Sequence, residues 1–181
     1  MSPDKKYQII YADPPWSYHD KMRGYSLSLD LQYKTQSKKW IAALPVKDIA
    51  EKESVLFLWV TSPHLPTGIE VMKAWGFKYV TVAFCWSKYT AHGKKIHNLG
   101  RWTMGNVELC LLGKRGRPRR ACKNVKQLVE AARTRHSQKP DEVRTRIVAL
   151  MGDLPRIELF AREKVEGWDV WGDEVESDIT L

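Results

Sequence analysis

The chain has 181 residues, with 30 Lys and Arg against 21 Asp and Glu, which gives a formal net charge of +9. This length suits a single domain over residues 1–181 with one sizeable core. No apolar run approaches the roughly 18 residues that a membrane-spanning helix needs, and the first ten residues lack the apolar stretch of an export signal. We therefore expect a cytoplasmic protein with no membrane partner.

The cysteines and histidines point to no disulfide framework and no metal site. Three cysteines are an odd number and lack C-x-x-C spacing, which argues against paired disulfides or a zinc ribbon. The five histidines show no metal-ligand spacing. We predict reduced thiols and no bound metal. The cysteines are Cys85, Cys110 and Cys122, and the histidines are His19, His64, His92, His97 and His136.

Two apolar segments predict buried strands in the first third of the chain. Tyr7–Ala12 is rich in β-branched and aromatic residues and ends at Asp13-Pro14-Pro15, where a loop must begin because proline cannot continue a ladder. Ser54–Val60 is apolar at nearly every position, which is typical of a central strand in a parallel sheet.

The rest of the chain alternates between helical and strand patterns. Apolar residues at helical spacing predict one helix from Leu65 that ends before Gly76, and a second that begins near Pro140 and ends at Gly152. Further strands are predicted at Tyr79–Trp86, Val107–Leu112 and Arg156–Ala161. This alternation predicts a layered α/β domain with a mostly parallel sheet. The tryptophans in these elements are predicted to be core residues: Trp40, Trp59, Trp75 and Trp86.

Two polar segments are candidates for contact with a ligand. Residues 87–105 are predicted to form a long, mobile loop, and loops of that length are often functional. Residues 111–146 hold twelve basic and three acidic side chains. The net charge of this segment, +9, therefore equals that of the whole chain. We define the basic cluster as Lys114, Arg115, Arg117, Arg119 and Arg120. It is predicted to bind phosphates of a polyanion, with a solvated surface as the alternative.

Asp13-Pro14-Pro15-Trp16 is the motif with the clearest chemistry. Ligands of open α/β sheets bind at the carboxyl ends of strands, where this motif lies. The exocyclic amine of a nucleobase is a poor nucleophile, and two acceptors on its N–H groups support the positive charge that develops as it attacks an electrophile. The Asp13 carboxylate and the Pro14 carbonyl are predicted to be those acceptors. Pro15 would stiffen them, and Trp16 would stack on an extruded base. The alternative, equally compatible with the composition, is a Pro-Pro turn that ends the strand beside a buried tryptophan.

Five motifs in order carry a resemblance to the adenine-N6 methyltransferase family that includes the catalytic subunit of mRNA adenosine methyltransferase. They are Asp13–Trp16, Leu56–Thr61, Arg135–Glu142, Ile157–Arg162 and Gly167–Glu174. The resemblance implies S-adenosylmethionine as methyl donor and a Rossmann-like class I methyltransferase fold. It also implies a permuted motif order, in which the catalytic strand precedes the cofactor-binding segments.

The resemblance also assigns site residues. Those implied to bind the cofactor are Asp13, Lys139, Phe160, Arg162, Asp173 and Glu174. Those implied to face the nucleic acid are Tyr33, Arg101 and Glu108, to which the basic cluster is added. Physically, Lys139 or Arg162 can pair with the carboxylate of the cofactor, and an acidic side chain can accept from its ribose hydroxyls.

The function expected from these observations is methyl transfer from S-adenosylmethionine to adenine N6 in a polynucleotide, with DNA favoured over RNA. Three alternatives remain open: a non-catalytic nucleic-acid-binding subunit of the same fold, a cytosine-N4 methyltransferase and an RNA adenosine methyltransferase. The resemblance also admits a homodimer or a paired subunit, since family members often work in pairs.

Overall fold

A computed structural model describes residues 5–17, 35–99, 102–134 and 138–181. The strands are β1 Tyr7–Ala12, β2 Ala50–Val60, β3 Lys78–Tyr89, β4 Val107–Arg115, β5 Leu128–Ala132, β6 Arg156–Leu159 and β7 Asp169–Trp171. The helices are α1 Lys38–Ala43, α2 Val46–Ile49, α3 Leu65–Ala74 and α4 Glu142–Met151, with a 3₁₀ turn at Ser62–His64. Among the described residues, no helix has the length and hydropathy needed to cross a membrane.

The strands form a seven-stranded sheet in the order β5-β3-β4-β2-β1-β6-β7. Strand β1 pairs in parallel with β2 and β6, and the pairs β6–β7 and β3–β5 are also parallel. Only β4 among these strands runs the other way, antiparallel to both β2 and β3. The predicted α/β fold with a mostly parallel sheet is confirmed, and β2 is central as expected.

Side chains that alternate along the central strands divide the core into two layers. Leu56, Leu58 and Val60 of β2 pack on the side of α1 and α3, where Ile41, Val71 and Trp75 are buried. Phe57 and Trp59 pack on the opposite side against Ile147 and other residues of α4. Period-2 alternation in strands and the apolar stripe of each helix therefore produce a sheet covered on both faces.

Most predicted elements are present, but α1, α2, β5 and β7 were not predicted. Strands β3 and β4 are longer than predicted and pair as antiparallel neighbours. The prediction that Trp40 lies in the core is wrong, because α1 leaves this side chain 41% exposed. Trp59, Trp75 and Trp86 are buried as predicted.

The contact between α3 and β2 depends on a glycine. A Cβ atom at Gly68 would lie 2.4 Å from Cγ1 of Val60, and this branched side chain is buried in the sheet. We expect Gly68→Ala to lower the free energy of unfolding by about 1–3 kcal/mol, since overpacking outweighs the gain in helix propensity. Chemical denaturation measures the change. Gly105→Ala is the matched control, because a Cβ there meets nothing within 4 Å; equal effects of the two variants would contradict the steric explanation.

The strand order places a topological switch point at one end of β1. After β1 the chain proceeds to β2 on one side, and it returns near its end to β6 on the other. Open α/β sheets bind ligands at such a switch point, outside the carboxyl ends of the strands. We define the carboxyl edge as the edge where β1, β2, β3 and β6 end and β4 begins; the opposite edge is the amino edge.

Candidate active site

Three charged side chains meet at the carboxyl edge. Asp13 follows the last residue of β1, Glu108 is the second residue of β4, and Lys139 lies three residues before α4. The Lys139 Nζ is 2.6 Å from Asp13 Oδ2 and 3.2 Å from Glu108 Oε2. One ammonium group thus joins two carboxylates that are far apart in the sequence.

Lys88, near the end of β3, extends this group to four alternating charges. Its ammonium forms an ion pair with Glu108, and its side chain lies over the Trp86 ring. The Lys139 ammonium similarly lies 5.4 Å from the centre of the buried Trp59 ring. We call Lys88, Glu108, Lys139 and Asp13 the charge chain. The aromatic rings and the alternation of sign compensate for the removal of these groups from water.

The charge chain shifts the pKa of each carboxylate differently. Burial raises the pKa of Asp13, and the charge of Lys139 offsets only part of this effect. Burial also acts to raise the pKa of Glu108, but the charges of Lys139 and Lys88 lower it overall. Burial opposes the charge of Lys139, yet Asp13 and Glu108 outweigh it and raise its pKa. Asp13 is therefore a stronger base than an ordinary aspartate, as suits an acceptor of amine protons.

The backbone of the Asp13–Trp16 motif is fixed by hydrogen bonds. The Pro14 carbonyl accepts the Trp16 N–H at 2.9 Å, and the Pro15 carbonyl accepts the Gln36 N–H at 2.8 Å. A carbonyl oxygen has two lone pairs, so Pro14 retains one acceptor site beside the Asp13 carboxylate. The predicted pair of acceptors is thus held in a rigid turn.

Trp16 is packed inside the protein and is only 7% exposed. Its Nε1–H donates to the Trp59 carbonyl at 3.0 Å, and its ring stacks on His64 with 5.8 Å between ring centres. The His64 ring also contacts the Ser17 carbonyl and the Thr61 hydroxyl. In this conformation Trp16 anchors the motif to β2 and offers little ring surface to a base, in contrast to its predicted stacking role.

The segment after β6 brings further predicted residues toward Asp13. Phe160 adopts a positive φ of 61° and packs edge-on against Trp171 of β7. Gly172 permits a close backbone approach, because a Cβ there would lie 2.3 Å from the Ala161 carbonyl oxygen. The turn brings Arg162 close enough for its charge to oppose, slightly, the rise that burial causes in the pKa of Asp13. The Nε of Arg162 lies 3.6 Å from Oε1 of Glu174.

A family model named MT-A70 matches residues 7–174. The chain belongs to the MT-A70 family. The chain is 38% identical, over 191 aligned positions, to the Type II methyltransferase M.MunI of Mycoplasma sp; the alignment covers 96% of this chain and 79% of that protein. The sequence-based resemblance to a methyltransferase family is confirmed.

Two animal members of the MT-A70 family match a smaller share of their own length. The N(6)-adenosine-methyltransferase catalytic subunit METTL3 of Homo sapiens is 31% identical over 87% of this chain and 26% of its own length. The N(6)-adenosine-methyltransferase MT-A70-like protein of Drosophila melanogaster is 32% identical over 87% of this chain and 24% of its own. The chain thus spans about a quarter of each.

The structure brings most of the implied site residues of this MT-A70 chain to one edge, but not the basic cluster. Because β4 is antiparallel to β2, Glu108 lies at the carboxyl edge, whereas Arg115 pairs with Ser54 near the opposite end of β2. Lys114 and Arg115 end β4, and Arg117, Arg119 and Arg120 follow it at the amino edge. Seven residues of strand, about 23 Å, separate Glu108 from Arg115.

The remaining implied residues of the MT-A70 chain are placed as follows. Asp173 is exposed after β7. Tyr33 and Arg101 lie outside the described residues, as does the 135–137 part of the motif that precedes Lys139. Within the described ranges, no group of three or more His, Cys, Asp or Glu could hold a metal ion.

Sequence reasoning missed Lys88 and two supports beneath the site of the MT-A70 chain. Lys88 was assigned to a loop, although it lies two residues after the buried Trp86 in a continuing strand. The Tyr11 hydroxyl accepts the Trp59 Nε1–H at 2.7 Å, and Arg144 of α4 binds the largely buried Glu158 at 2.7 Å. These bonds fix β1, β2 and β6 beneath the charge chain. The sequence signal for these contacts was the presence of polar residues, such as Lys88 and Glu158, next to apolar residues of the same strand.

Proposed function

We propose that this MT-A70 chain transfers a methyl group from S-adenosylmethionine to the N6 amine of adenine in DNA. The observation that carries the proposal is the Asp13 carboxylate, raised in basicity and held 2.6 Å from Lys139 at the switch point of the sheet. DNA is preferred over RNA because the similarity to the Type II methyltransferase M.MunI extends over most of both chains.

Asp13 and Pro14 would prepare the amine. Its two N–H groups would donate to the Asp13 carboxylate and to the remaining lone pair of the Pro14 carbonyl. These acceptors stabilise the positive charge that develops on nitrogen as it attacks, and their fixed backbone means little reorganisation as the reaction proceeds.

The residues at the carboxyl edge fit the chemistry of the proposed cofactor. S-Adenosylmethionine has a carboxylate, an ammonium group and a ribose diol, and it supplies an electrophilic methyl group on sulfur. The cations Lys139 and Arg162 can hold the carboxylate, and Asp173 and Glu174 can accept from the ribose hydroxyls. The Phe160 ring, turned by its positive φ, would border the site.

The chain order of these groups corresponds to the permuted arrangement implied by the resemblance. Asp13 precedes Lys139, Arg162 and Glu174 in the sequence, so the catalytic strand would come before the cofactor-binding segments. We further propose one methyltransferase domain over residues 1–181 that acts in the cytoplasm on nucleic acid. Pairing with a second copy or a related subunit stays a prediction.

Two measurements test this function. Calorimetry should detect binding of S-adenosylmethionine, and tritiated methyl groups should be transferred to DNA. A chain that binds DNA but not the cofactor would instead be the non-catalytic subunit, for which degraded site residues are expected. The intact Asp13–Trp16 motif and the paired Lys139 and Glu108 favour the enzyme.

We propose that the basic cluster at the amino edge binds phosphates of the DNA at a distance from the reacting base. We expect the triple substitution of Arg117, Arg119 and Arg120 by Gln to weaken DNA binding. The slope of log affinity against log salt should fall by about 0.9 for each lost phosphate contact. Since the cluster is far from Asp13, the transfer rate at saturating DNA should not change. Unchanged salt slopes would make the cluster a solvated surface.

A further inference from the structure

The residues that connect β3 to β4 leave the sheet at the carboxyl edge and are tied together by backbone hydrogen bonds. We call the described part of this connection, residues 90–99 and 102–106, the excursion. The Thr90 N–H donates to the Lys94 carbonyl, and the Ile96 N–H donates to the Lys88 carbonyl, so the chain folds back at once. Asn98 and Gly105 then pair through two backbone hydrogen bonds of 2.7 and 2.9 Å. The described residues between them, 99 and 102–104, are thus joined to the sheet through this closed pair of hydrogen bonds.

Three large apolar side chains of the excursion are exposed to solvent. Leu99 is 90% exposed, Trp102 is 97% exposed and Met104 is 61% exposed. We call these three side chains the apolar tip. Trp102 is almost fully exposed and so adds little to the stability of the fold, and three exposed large apolar side chains within six positions are typical of a binding site. The tip therefore needs an occupant.

Charge and position identify nucleic acid as that occupant. The sequence from Thr90 to Asn106 contains no acidic residue, and Lys94 and Lys95 lie on the same excursion as the tip. The base of the excursion adjoins Glu108, which is bound to Lys139 and through it to Asp13. Six residues from Glu108 to Trp102 span at most about 20 Å, comparable to the width of a duplex.

An enzyme that modifies adenine in a duplex must first move the base out of the stack, at a cost of a few kcal/mol. Apolar wedges such as Leu, Met and aromatic side chains occupy opened base steps in other complexes and compensate for this loss of stacking. Trp16, buried in the protein, does not offer that surface. The exposed Trp102, at most about 20 Å of chain from Glu108, does.

We propose that Trp102 inserts into the base stack next to the extruded adenine, while Lys94 and Lys95 contact the flanking phosphates. This inference rests on the proposed function and names how the same site engages a duplex. Leu99 and Met104 support the indole on either side in the sequence.

The test compares three variants in binding to a fluorescein-labelled, random-sequence DNA duplex, followed by anisotropy. We expect Trp102→Ala to weaken duplex binding about tenfold and Trp102→Phe to retain most of the affinity, because base–aromatic stacking is lost only in the first. Leu128→Ala is the matched control: this apolar side chain is 50% exposed but lies on β5, outside both the excursion and the basic cluster, and its loss should not change the affinity.

Two further readouts separate the wedge from other roles. The salt slope should not change in Trp102→Ala but should fall by about two in Lys94→Gln/Lys95→Gln. At saturating DNA, Trp102→Ala should transfer methyl groups more slowly to the duplex and at the parent rate to single strands, which need no extrusion.

Several outcomes would overturn the inference. Parent-like binding and transfer by Trp102→Ala on duplex DNA would exclude a wedge. A change from dimer to monomer in sedimentation, with duplex affinity unchanged, would make the tip a contact between copies instead. If the parent chain transfers no methyl group to any nucleic acid, the proposed function fails, and the duplex affinities still decide the role of the tip.

Discussion

We expect Asp13→Asn to lower the rate of methyl transfer by on the order of 10³-fold, with the fold intact. The amide keeps the shape of the carboxylate but loses its charge, and it directs an N–H group toward the amine or toward Lys139. The amine would lose the acceptor that supports its developing positive charge. Circular dichroism and thermal unfolding establish that the variant is folded, and tritiated methyl transfer to DNA measures the effect.

The matched control for Asp13→Asn is Asp153→Asn. Asp153 pairs with Arg156 at the start of β6, and its side chain is exposed at the amino edge. The same chemical change there should leave transfer within about twofold of the parent, because exposed ion pairs contribute little. Parent-like transfer by Asp13→Asn would refute the role given to this carboxylate.

The dependence of the transfer rate on pH gives a second test of the role of Asp13. Burial raises the pKa of Asp13, so its carboxylate is protonated at a higher pH than that of an exposed aspartate. A protonated carboxyl lacks the negative charge that stabilises both the amine nitrogen in the transition state and the Lys139 ammonium. Transfer at saturating substrate should therefore fall as pH decreases through this raised pKa. A profile without an acid limb above the ordinary range of aspartate would contradict the assignment.

Lys139→Met is expected to have the largest combined effect on activity and stability. It leaves the Asp13 and Glu108 carboxylates facing one another without the ammonium that joins them. Removing one partner of a buried ion pair costs about 3–5 kcal/mol, so the free energy of unfolding should fall by that order. Transfer should be lost as well, because Lys139 is also a proposed cofactor ligand.

A double variant separates these two effects. Lys139→Met/Glu108→Gln removes one of the facing carboxylates, so it should recover much of the stability but none of the activity. In Lys139→Met alone, Asp13 loses the charge that opposes the effect of its burial, so its folded-state pKa should lie still further above the unfolded value. Glu108, in contrast, keeps its ion pair with Lys88. Protonation of Asp13 then favours the folded state, and stability should rise as pH falls through its folded-state pKa. Chemical denaturation at two pH values measures whether the free energy of unfolding rises or falls with pH. If Lys139→Met were as stable as the parent at neutral pH, the ion pairs of the charge chain would contribute nothing to stability.

Much of the fold is predictable from the sequence because its strongest signals are local. The apolar run of β1 stops at Asp13-Pro14-Pro15, and the stripe of α4 stops at Gly152, where the structure shows a positive φ of 92°. The motifs also predicted Asp13 and Lys139 as site residues, and the family resemblance implied that Glu108 faces the nucleic acid. The sequence did not show that Lys139 joins the two carboxylates, because this contact depends on the order of strands in the sheet. Asp13 and Lys139 are 126 positions apart in the chain.

Strand direction was the main property that local patterns could not supply. The apolar residues of β4 fit a parallel or an antiparallel strand equally well, and only the pairing with β2 and β3 shows that it is antiparallel. That direction moves the basic cluster to the amino edge and Glu108 to the carboxyl edge. The excursion between β3 and β4 was predicted as a mobile loop because its backbone pairing has no apolar signal in the sequence.

The most direct test of the account is mass spectrometry of nucleosides after reaction with S-adenosylmethionine that carries a deuterated methyl group. DNA and RNA would be incubated separately with the parent chain and with Asp13→Asn, then digested completely to nucleosides. The account predicts deuterated N6-methyldeoxyadenosine from DNA with the parent chain and on the order of 10³-fold less with the variant. Label on cytosine N4, label from RNA alone, or equal labelling by the two proteins would contradict it.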